Sequence, residues 1–321
     1  MASEVSTDGL RIGFIGLGTM GQAMALNLQA HRISTNNPPI SVYNRSIAKT
    51  QLLKEKGATV YETPTKIAAN SDVIFLSLFN GDSVKQVIAE ILDSLTTTTE
   101  PSTQETPSLV ISDLTTVHPS VSTWVMEQLE DRKKTLTRPV YFSQTPVWGA
   151  PPVAVSGKLV IVVSGEKRHL IRDIAVPAFA RASIDCGPQV ARAARFKILG
   201  NFMIASIIES LGEAMAVADQ TDIGRELYLE FIKQVLPVPS YIGYASKMVD
   251  DNGEASKTQV GFTVPGGMKD IGYAIDVAKD AGMRLPIAEL AYEHLQWVMD
   301  NGDPNWDWSS LAYALRKEAQ K

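Results

Sequence analysis

A glycine triplet near the start of the chain sets the strongest limit on its fold. Gly16, Gly18 and Gly21 form the pattern G-x-G-x-x-G, which follows the apolar segment RIGFI and leads into AMALNLQA, where apolar residues recur with helical spacing. Between a strand and a helix, such glycines serve a tight turn, close approach to the backbone, and close packing of the helix on the strand. The triplet therefore predicts that the chain opens with a βαβ unit.

Strand and helix patterns alternate after this unit, as a parallel doubly wound sheet requires. The predicted strands are RIGFI, ISVYNRS, TVY, VIFLSL, LVISDLT, PVYFSQTPV, KLVIVVSG and ASIDCG. From residue 191 onward only helical spacing is found, over 196–217, 225–236, 240–249, 268–281, 287–299 and 309–317. The predicted fold class is α/β: an N-terminal Rossmann domain with a doubly wound sheet (1–190) and an all-helical C-terminal domain (191–321) for substrate binding and dimerisation. We expect the active site in the cleft between the two.

Composition and charge favour small-molecule chemistry. The net charge is −5 without a long basic run, which argues against nucleic acid. No uninterrupted apolar stretch reaches the roughly 18 residues of a membrane span, and the start MASEVSTDGL lacks a signal-peptide pattern. The single cysteine, Cys186, cannot form an internal disulfide, in line with a cytoplasmic location. No metal site is predicted. The tract TTTTEPSTQETPS is expected to be an exposed loop.

Oligomerisation is predicted from the helix over 196–217. It is unusually long for a globular protein, and little chain remains to cover it. Burial against another subunit, in a homodimer or homotetramer, is therefore expected.

The strand-to-helix context of the triplet predicts a bound dinucleotide, with its pyrophosphate at the helix N-terminus. The expected contacts come from Gly16, Leu17, Gly18, Thr19, Met20 and Gly21. The second strand ends in Asn44, Arg45 and Ser46, where an acidic residue would favour NAD and repel a 2′-phosphate. Arg45 can bind that phosphate, with Asn44 and Ser46 adding neutral hydrogen bonds. These residues favour NADP(H); the alternative is a solvated arginine.

Lys197 and Asn201 are four residues apart on the long helix and so share one face. Their neighbours are largely apolar, and a lysine in apolar surroundings is costly unless it is paired or functional. Desolvation also lowers the pKa of a lysine toward values at which it can transfer a proton at neutral pH. The alternative is a lysine that extends from the helix to solvent.

Several blocks of the sequence resemble the β-hydroxyacid dehydrogenases, a family with a 6-phosphogluconate dehydrogenase type of NADP-binding domain. The family includes 3-hydroxyisobutyrate dehydrogenases, tartronate semialdehyde reductases and glyoxylate/succinic semialdehyde reductases. The blocks are GFIGLGTMGQAMALNL, DLTTVHP, TPVWGAPPVAVSGKLVIVVSG, FKILGN and GGMKDIGYAIDVAKDAGMRLP, in the family's order. The resemblance covers most of residues 11–300 and is more specific than any single motif.

The resemblance implies roles for individual residues. Lys197 would transfer the proton to or from the substrate oxygen as hydride moves between substrate and NADP(H), and Asn201 would bind the substrate. Thr116, together with Thr115, would lie near the nicotinamide and substrate. The remaining implied site residues are Leu78, Phe79 and Asn80 beside the nicotinamide riboside, and Lys269 and Asp270 on the cofactor side of the cleft, with Lys269 near a helix N-terminus and Asp270 next to the substrate. Loop polarity or ordinary packing is the alternative for these residues.

One segment departs from the family pattern D-A-P-V-S-G-G, whose serine and glycines bind a substrate carboxylate. Here it reads Q-T-P-V-W-G-A, so Trp148 replaces the serine, Gly149 is kept and Ala150 replaces the second glycine. The expected substrate is a small carbonyl compound, a semialdehyde or keto acid. If Trp148 faces the substrate, a bulkier or less polar carbonyl compound is favoured; otherwise it is a core or wall residue. The alternatives in function are an imine reductase or reductive aminase, and a non-catalytic dinucleotide-binding scaffold.

Overall fold

The computed structural model describes residues 7–97, 107–250 and 254–318. The chain forms two compact units, one up to Lys197 and one from Ile198 onward. Residues 98–106 of the tract that we expect to be an exposed loop, and residues 1–6 of the starting segment, lie outside the described residues.

The main sheet of the first unit contains six strands, all parallel to their neighbours. They are β1 (Ile12–Ile15), β2 (Ser41–Tyr43), β3 (Thr59–Val60), β4 (Val73–Leu76), β5 (Leu109–Asp113) and β6 (Val140–Gln144). Their order in the sheet is β3-β2-β1-β4-β5-β6. This order reverses between β1 and β4, the point at which doubly wound sheets bind their ligands at the carboxyl ends of the strands.

Helices cover both faces of this sheet. They are α1 (Thr19–Ser34), α2 (Gln51–Glu55, after a 3₁₀ turn at Ile47–Thr50), α3 (Pro64–Ala69), α4 (Gly81–Ser94), α5 (Pro119–Arg132), α6 (Pro151–Val155) and α7 (Arg168–Ala178). Val73 and Phe75 of β4 belong to an apolar cluster with α1 and α7. Ile74 and Leu76 belong to a second cluster with α3, α4 and α5. Because successive strand residues point to opposite faces, β4 is buried on both, which explains its continuous apolar sequence.

A second, three-stranded sheet corrects one sequence prediction. We expect PVYFSQTPV to form one strand, but it forms β6 and then β7 (Val147–Trp148), which belong to different sheets. Pro146 has no N–H group to continue a ladder, and its carbonyl oxygen instead accepts from the N–H of Val162. The small sheet is completed by β8 (Leu159–Val163), antiparallel to β7, and β9 (Ala180–Asp185), parallel to β8.

The described residues of the second unit are helical, without a strand. α8 (Ala191–Asp219) leads into it, followed by α9 (Gly224–Val235), α10 (Pro239–Val249), α11 (Glu254–Thr258), α12 (Val264–Asp280), α13 (Pro286–Asn301), a 3₁₀ turn (Trp308–Leu311) and α14 (Ala312–Glu318). Ile208, Leu211 and Met215 of α8 are buried against Leu295 and Val298 of α13, among others. These contacts place α8 in the core of the helical unit.

The start of α12 differs from the sequence prediction. The helix begins at Val264 rather than at residue 268, because Gly266 and Gly267 lie within it. A Cβ atom on Gly267 would lie 2.8 Å from the ring of Trp308, so this glycine permits close packing rather than ending the helix. Lys269 consequently lies in the second turn of α12 and not at its N-terminus.

α8 is also, among the described residues, the helix that is long and apolar enough to cross a membrane. Its most apolar 18-residue window has a mean hydropathy of 1.3, but 44% of that window is buried inside the protein. A core helix passes the same test of length and composition, so α8 is weak support for a membrane span.

Candidate active site

The loop between β1 and α1 depends on two of its glycines. Gly16 has a backbone φ of +97°, and a Cβ atom on it would lie 2.2 Å from the carbonyl oxygen of Ser77. A Cβ atom on Gly21 would lie 2.1 Å from the carbonyl oxygen of Gly16. A larger residue at either position would displace the backbone. These contacts require glycine for the turn and for the packing of α1 on the sheet.

Gly18 has a different environment, which suits a ligand. It is exposed, and a Cβ atom on it would meet nothing within 4 Å. Thr19 begins α1, and no side chain caps its first turn. The N–H groups of that turn carry the positive end of the helix dipole, so a pyrophosphate fits against Gly18, Thr19 and Met20. The residues of this loop therefore fit a dinucleotide.

Two residues after β2 differ in their surroundings: Asn44 supports the glycine loop, and Arg45 is open to a ligand. Asn44 accepts a hydrogen bond from the N–H of Leu17 at 2.8 Å and donates to the carbonyl oxygen of Ser46 at 2.9 Å. Its side chain thus connects the end of β2 to the glycine loop. Arg45 is exposed, and no described residue engages its guanidinium in a hydrogen bond or ion pair.

The carboxyl ends of β4 and β5 are joined by a hydrogen bond. The N–H of Leu78 donates to the hydroxyl of Thr115 at 3.0 Å. Phe79 is 84% exposed, unusual for a phenylalanine outside a binding surface. Asn80 caps the start of α4 with its side chain, and Thr116 is half-buried. Of the three residues expected beside the nicotinamide riboside, Phe79 is the one whose side chain is most open to a ligand.

Gln144 is a site residue to which sequence reasoning assigned no role. It is fully buried at the end of β6, and its amide nitrogen donates to the carbonyl oxygens of Asp113 and Thr115, each at 3.0 Å. Its amide oxygen accepts from the hydroxyl of Ser122 at 2.9 Å. An aspartate, which stands at this position in the pattern D-A-P-V-S-G-G, has no N–H group and could donate neither bond. The sequence signal was a pair of polar residues, Ser143 and Gln144, at the end of a strand that begins with Val140, Tyr141 and Phe142.

Lys197 lies beside the ring of Trp148. Its Nζ atom is 5.0 Å from the centroid of the Trp148 ring, and the residue is 6% exposed. The Trp148 ring also meets Phe196 edge-on, with centroids 5.5 Å apart and an interplanar angle of 81°. The ring of Trp148 therefore contacts the ammonium group of Lys197, a geometry in which a cation is attracted to the ring.

Asn201 follows Lys197 by one turn of α8 and is held by α12. Its amide nitrogen donates to a carboxylate oxygen of Asp270 at 2.5 Å, and both residues are buried. The other oxygen of Asp270 is 2.9 Å from the Nζ atom of Lys269. These contacts fix the amide of Asn201, with its nitrogen toward Asp270 and its oxygen on the other side. Asp270 is engaged by protein groups on both oxygens.

Two family models together match nearly the whole chain. Residues 11–183 match the model of the NAD binding domain of 6-phosphogluconate dehydrogenase. Residues 191–315 match the model described as NAD-binding of NADP-dependent 3-hydroxyisobutyrate dehydrogenase. The chain belongs to the β-hydroxyacid dehydrogenase family. This confirms the resemblance drawn from the sequence blocks, and makes the chain an oxidoreductase that binds a nicotinamide dinucleotide.

Relatives of this family member align over nearly their full length. The chain is 28% identical over 303 residues to NADH-dependent oxidoreductase ucdB of Aspergillus ustus, covering 94% of this chain and 97% of that protein. It is 24% identical over 314 residues to glyoxylate/succinic semialdehyde reductase 1 of Arabidopsis thaliana, covering 96% and 99%.

Solved structures of β-hydroxyacid dehydrogenases share the fold. A Mycobacterium tuberculosis 3-hydroxyisobutyrate dehydrogenase with L-serine has a TM-score of 0.75 at 20% identity, covering 96% of this chain and 99% of that one. A reductive aminase from Aspergillus terreus, in complex with NADPH4, cyclohexanone and allyl amine, is more distant, with a TM-score of 0.55 at 18% identity and the same coverage. The Rossmann domain followed by a helical domain is thereby confirmed.

The predicted site residues form separate groups in the two units. In the first unit, those at the carboxyl edge of the main sheet are Gly16 to Gly21, Asn44 to Ser46, Leu78 to Asn80, Thr115 and Thr116. Trp148 ends β7 of the small sheet and contacts Lys197, and Gly149 follows it. In the second unit Asn201, Lys269 and Asp270 form one bonded cluster.

Proposed function

We propose that the chain reduces an aldehyde or ketone to the alcohol with NADPH, and catalyses the reverse oxidation with NADP⁺, using Lys197 as the general acid and base. The observation that carries this proposal is Lys197 itself, buried beside Trp148 on the helix that also bears Asn201. A buried lysine is costly without a function, and proton transfer to a carbonyl oxygen is the function that fits an oxidoreductase of this family.

The cofactor choice rests on Arg45. Its exposed guanidinium, next to the glycine loop, suits a 2′-phosphate, and no acidic residue stands at the end of β2 to accept hydrogen bonds from a free ribose. The model that matches residues 191–315 is named for an NADP-dependent enzyme, whereas the ucdB relative is named as NADH-dependent. The two names differ, and the proposal of NADP(H) is supported by the residues at the end of β2.

The site residues of the chain each have a defined part in the proposed reaction. When bound, the nicotinamide supplies a hydride to the carbonyl carbon, or accepts one in the reverse direction. Lys197 gives a proton from Nζ to the carbonyl oxygen as negative charge develops there. Asn201, oriented by Asp270, offers its amide oxygen to the substrate. The backbone turn of Thr115 and Thr116, fixed by Gln144, borders the reacting groups.

The test is NADPH absorbance with a panel of semialdehydes, ketones and cyclic imines. We expect carbonyl compounds to be reduced, and Lys197→Ala to lower turnover by at least ~10²-fold with NADPH binding nearly unchanged, the usual size of a general-acid contribution. Lys167→Ala is the matched control, because Lys167 also lies over an aromatic ring, 4.5 Å from the Tyr141 centroid. Equal turnover in both variants would contradict the proposal.

Imine reduction is the second candidate, and the aromatic pair of Trp148 and Phe196 beside Lys197 is the observation that favours it. Cyclic imines are bulkier and less polar than semialdehydes. If imines are turned over and carbonyl compounds are not, this candidate replaces the first. If no compound of the panel consumes NADPH, neither carbonyl reduction nor imine reduction is supported. In both catalytic candidates the substrate is a small molecule. We also propose that the enzyme is cytoplasmic.

A further inference from the structure

We propose that Trp148 determines the substrate class, and that it selects carbonyl compounds whose substituent is apolar, branched alkyl or aromatic, over those whose substituent is a carboxylate. The inference rests on the proposed carbonyl reduction and names the substrate of that same site. It is carried by three features of the first unit: the aromatic contacts of Lys197, the rigidity of the segment that bears Trp148, and the donors that this segment lacks.

The aromatic contacts place an apolar surface beside the reacting group. The Trp148 ring lies 5.0 Å from Nζ of Lys197 and packs edge-on against Phe196. Trp148 remains partly exposed, and Phe196 is exposed as well. A substrate whose oxygen contacts Lys197 therefore has its substituent next to indole carbon rather than next to a small hydroxyl.

The segment that carries Trp148 is fixed. Trp148 pairs with Val160 in the small sheet, and Gly149 has a φ of +140°. A Cβ atom on Gly149 would lie 2.6 Å from Leu159 and 2.9 Å from Val153. The sheet pairing of Trp148 and the packing of Leu159 and Val153 against Gly149 hold the backbone on both sides of the ring.

The same segment is poor in groups that bind an anion. Residues 145–155 contain no charged side chain. α6 begins with Pro151 and Pro152, which have no N–H group, and Ala150 before them offers no side-chain cap. A carboxylate beside the Trp148 ring would meet no charged or hydroxyl side chain from residues 146–155, whereas an alkyl or aromatic group would gain apolar contact.

The experiment compares two aldehydes of matched size, 4-methylpentanal and succinic semialdehyde, which carry an isopropyl group and a carboxylate at the same position. With NADPH, we expect the wild-type kcat/KM for 4-methylpentanal to exceed that for succinic semialdehyde by at least about 10-fold, the size of discrimination that apolar pockets reach. Trp148→Ser should lower this ratio by about 10-fold or more, and Trp148→Phe should keep it within about threefold.

Trp124→Ser is the matched control, because Trp124 has Lys85 5.7 Å from its ring centroid but lies on α5, away from Lys197. It should leave the ratio unchanged. A wild type that prefers succinic semialdehyde, or a ratio that Trp148→Ser does not alter, overturns the proposal. Trp148→Phe keeps the test valid if the serine variant does not fold.

Binding of two unreactive analogues separates this inference from the proposed function. We expect 4-methylpentanamide to bind the wild type with NADP⁺ at least about 10-fold more tightly than succinamate, and Trp148→Ser to remove the difference. If this holds while neither aldehyde is reduced, carbonyl reduction is wrong and the selectivity of Trp148 stands. If both aldehydes are reduced but succinamate binds as tightly as the amide, the selectivity is wrong and carbonyl reduction stands.

Discussion

Two polar side chains of the site are bound by other protein groups, and this decides which of their neighbours meets a ligand. Asn44 uses both ends of its amide on Leu17 and Ser46, so it supports the glycine loop. Asp270 is likewise engaged by Asn201 and Lys269. The sequence predicts both residues for the site, but it cannot separate a supporting residue from a contacting one, because hydrogen bonds across 27 or 69 positions depend on the folded chain.

Arg45→Asp should change the cofactor preference. The substitution removes a charged donor from the proposed 2′-phosphate contact and introduces an acceptor for a free ribose. Since a hydrogen bond to a charged group contributes about 1.5–3 kcal/mol, we expect the ratio of kcat/KM for NADPH over NADH to fall by about 100-fold. Steady-state kinetics with both cofactors measure it.

The control for Arg45 is Lys54→Asp, which makes the same change of charge at an exposed position of α2. If the control lowers the ratio as much as Arg45→Asp does, the effect is general electrostatics and the phosphate contact is wrong.

Asn201 and Asp270 should act as one unit in catalysis. If Asp270 orients the amide of Asn201, then Asn201→Ala, Asp270→Asn and the double variant will not be additive. We expect the two single changes each to lower kcat/KM by at least about 10-fold, with a coupling of about 1 kcal/mol or more, in the range of buried hydrogen bonds. Asp276→Asn, at an exposed position of α12, is the control. Additive effects would show that Asp270 does not act through Asn201.

At the scale of elements, helices and strands were predicted well where the apolar pattern is long. β4, β5 and α8 follow from continuous apolar residues or helical spacing, and α8 begins at Ala191, where the sequence changes character. The break between β6 and β7 was missed, because both segments are apolar and only their partner strands separate them. α6 and α11 were not predicted, because each has five residues, too few for a periodic pattern. The contact between Trp148 and Lys197 could not be predicted either, because it depends on the folded chain.

The starts of β1 and β4 are joined by an ion pair that should stabilise the sheet. Asp72 accepts hydrogen bonds from the N–H of Arg11 at 2.9 Å and from its guanidinium at 2.6 and 3.2 Å. Burial alone would raise the pKa of Asp72, but the hydrogen bonds and charge of Arg11 outweigh it, so the pKa is lowered. A carboxyl whose pKa is lower in the folded state stabilises the protein above its unfolded pKa, and this contribution is lost as the pH falls through the folded pKa.

Asp72→Asn should therefore lower the thermal midpoint at neutral pH, and this effect should become smaller as the pH falls below the ordinary pKa of an aspartate, about 3.9. A partly exposed pair of this kind contributes about 1 kcal/mol, which corresponds to a fall of about 2–4 °C. Thermal unfolding followed by circular dichroism at pH 7, 5 and 3 measures it. Asp131→Asn, at an exposed position of α5, should not change the midpoint. A difference that is the same at all three pH values would contradict the role of the charge.

At the scale of the whole molecule, alternating strand and helix patterns were enough to predict a doubly wound parallel sheet and a helical C-terminal region. The strand order and the separate three-stranded sheet were not predictable, since they depend on which edge each strand joins. The family's shared fold shows that these choices tolerate large changes in sequence, with a TM-score of 0.75 at 20% identity.

The helical unit exposes an apolar row that predicts self-association. Leu227, Phe231 and Val235 recur every four residues on α9, and are 62%, 43% and 58% exposed. Residues at this spacing share one helix face, and exposed apolar rows of this kind mark interfaces. We propose that a second copy of the chain covers this row.

The wild type should sediment as a dimer or tetramer of the 34.9 kDa chain, and Leu227→Glu with Phe231→Glu should dissociate it, because buried carboxylates oppose each other across a symmetric contact. Leu52→Glu, which makes the same change at an exposed position of α2, should leave the assembly intact. A wild type that sediments at the mass of one chain at micromolar concentration would show that the row has another role.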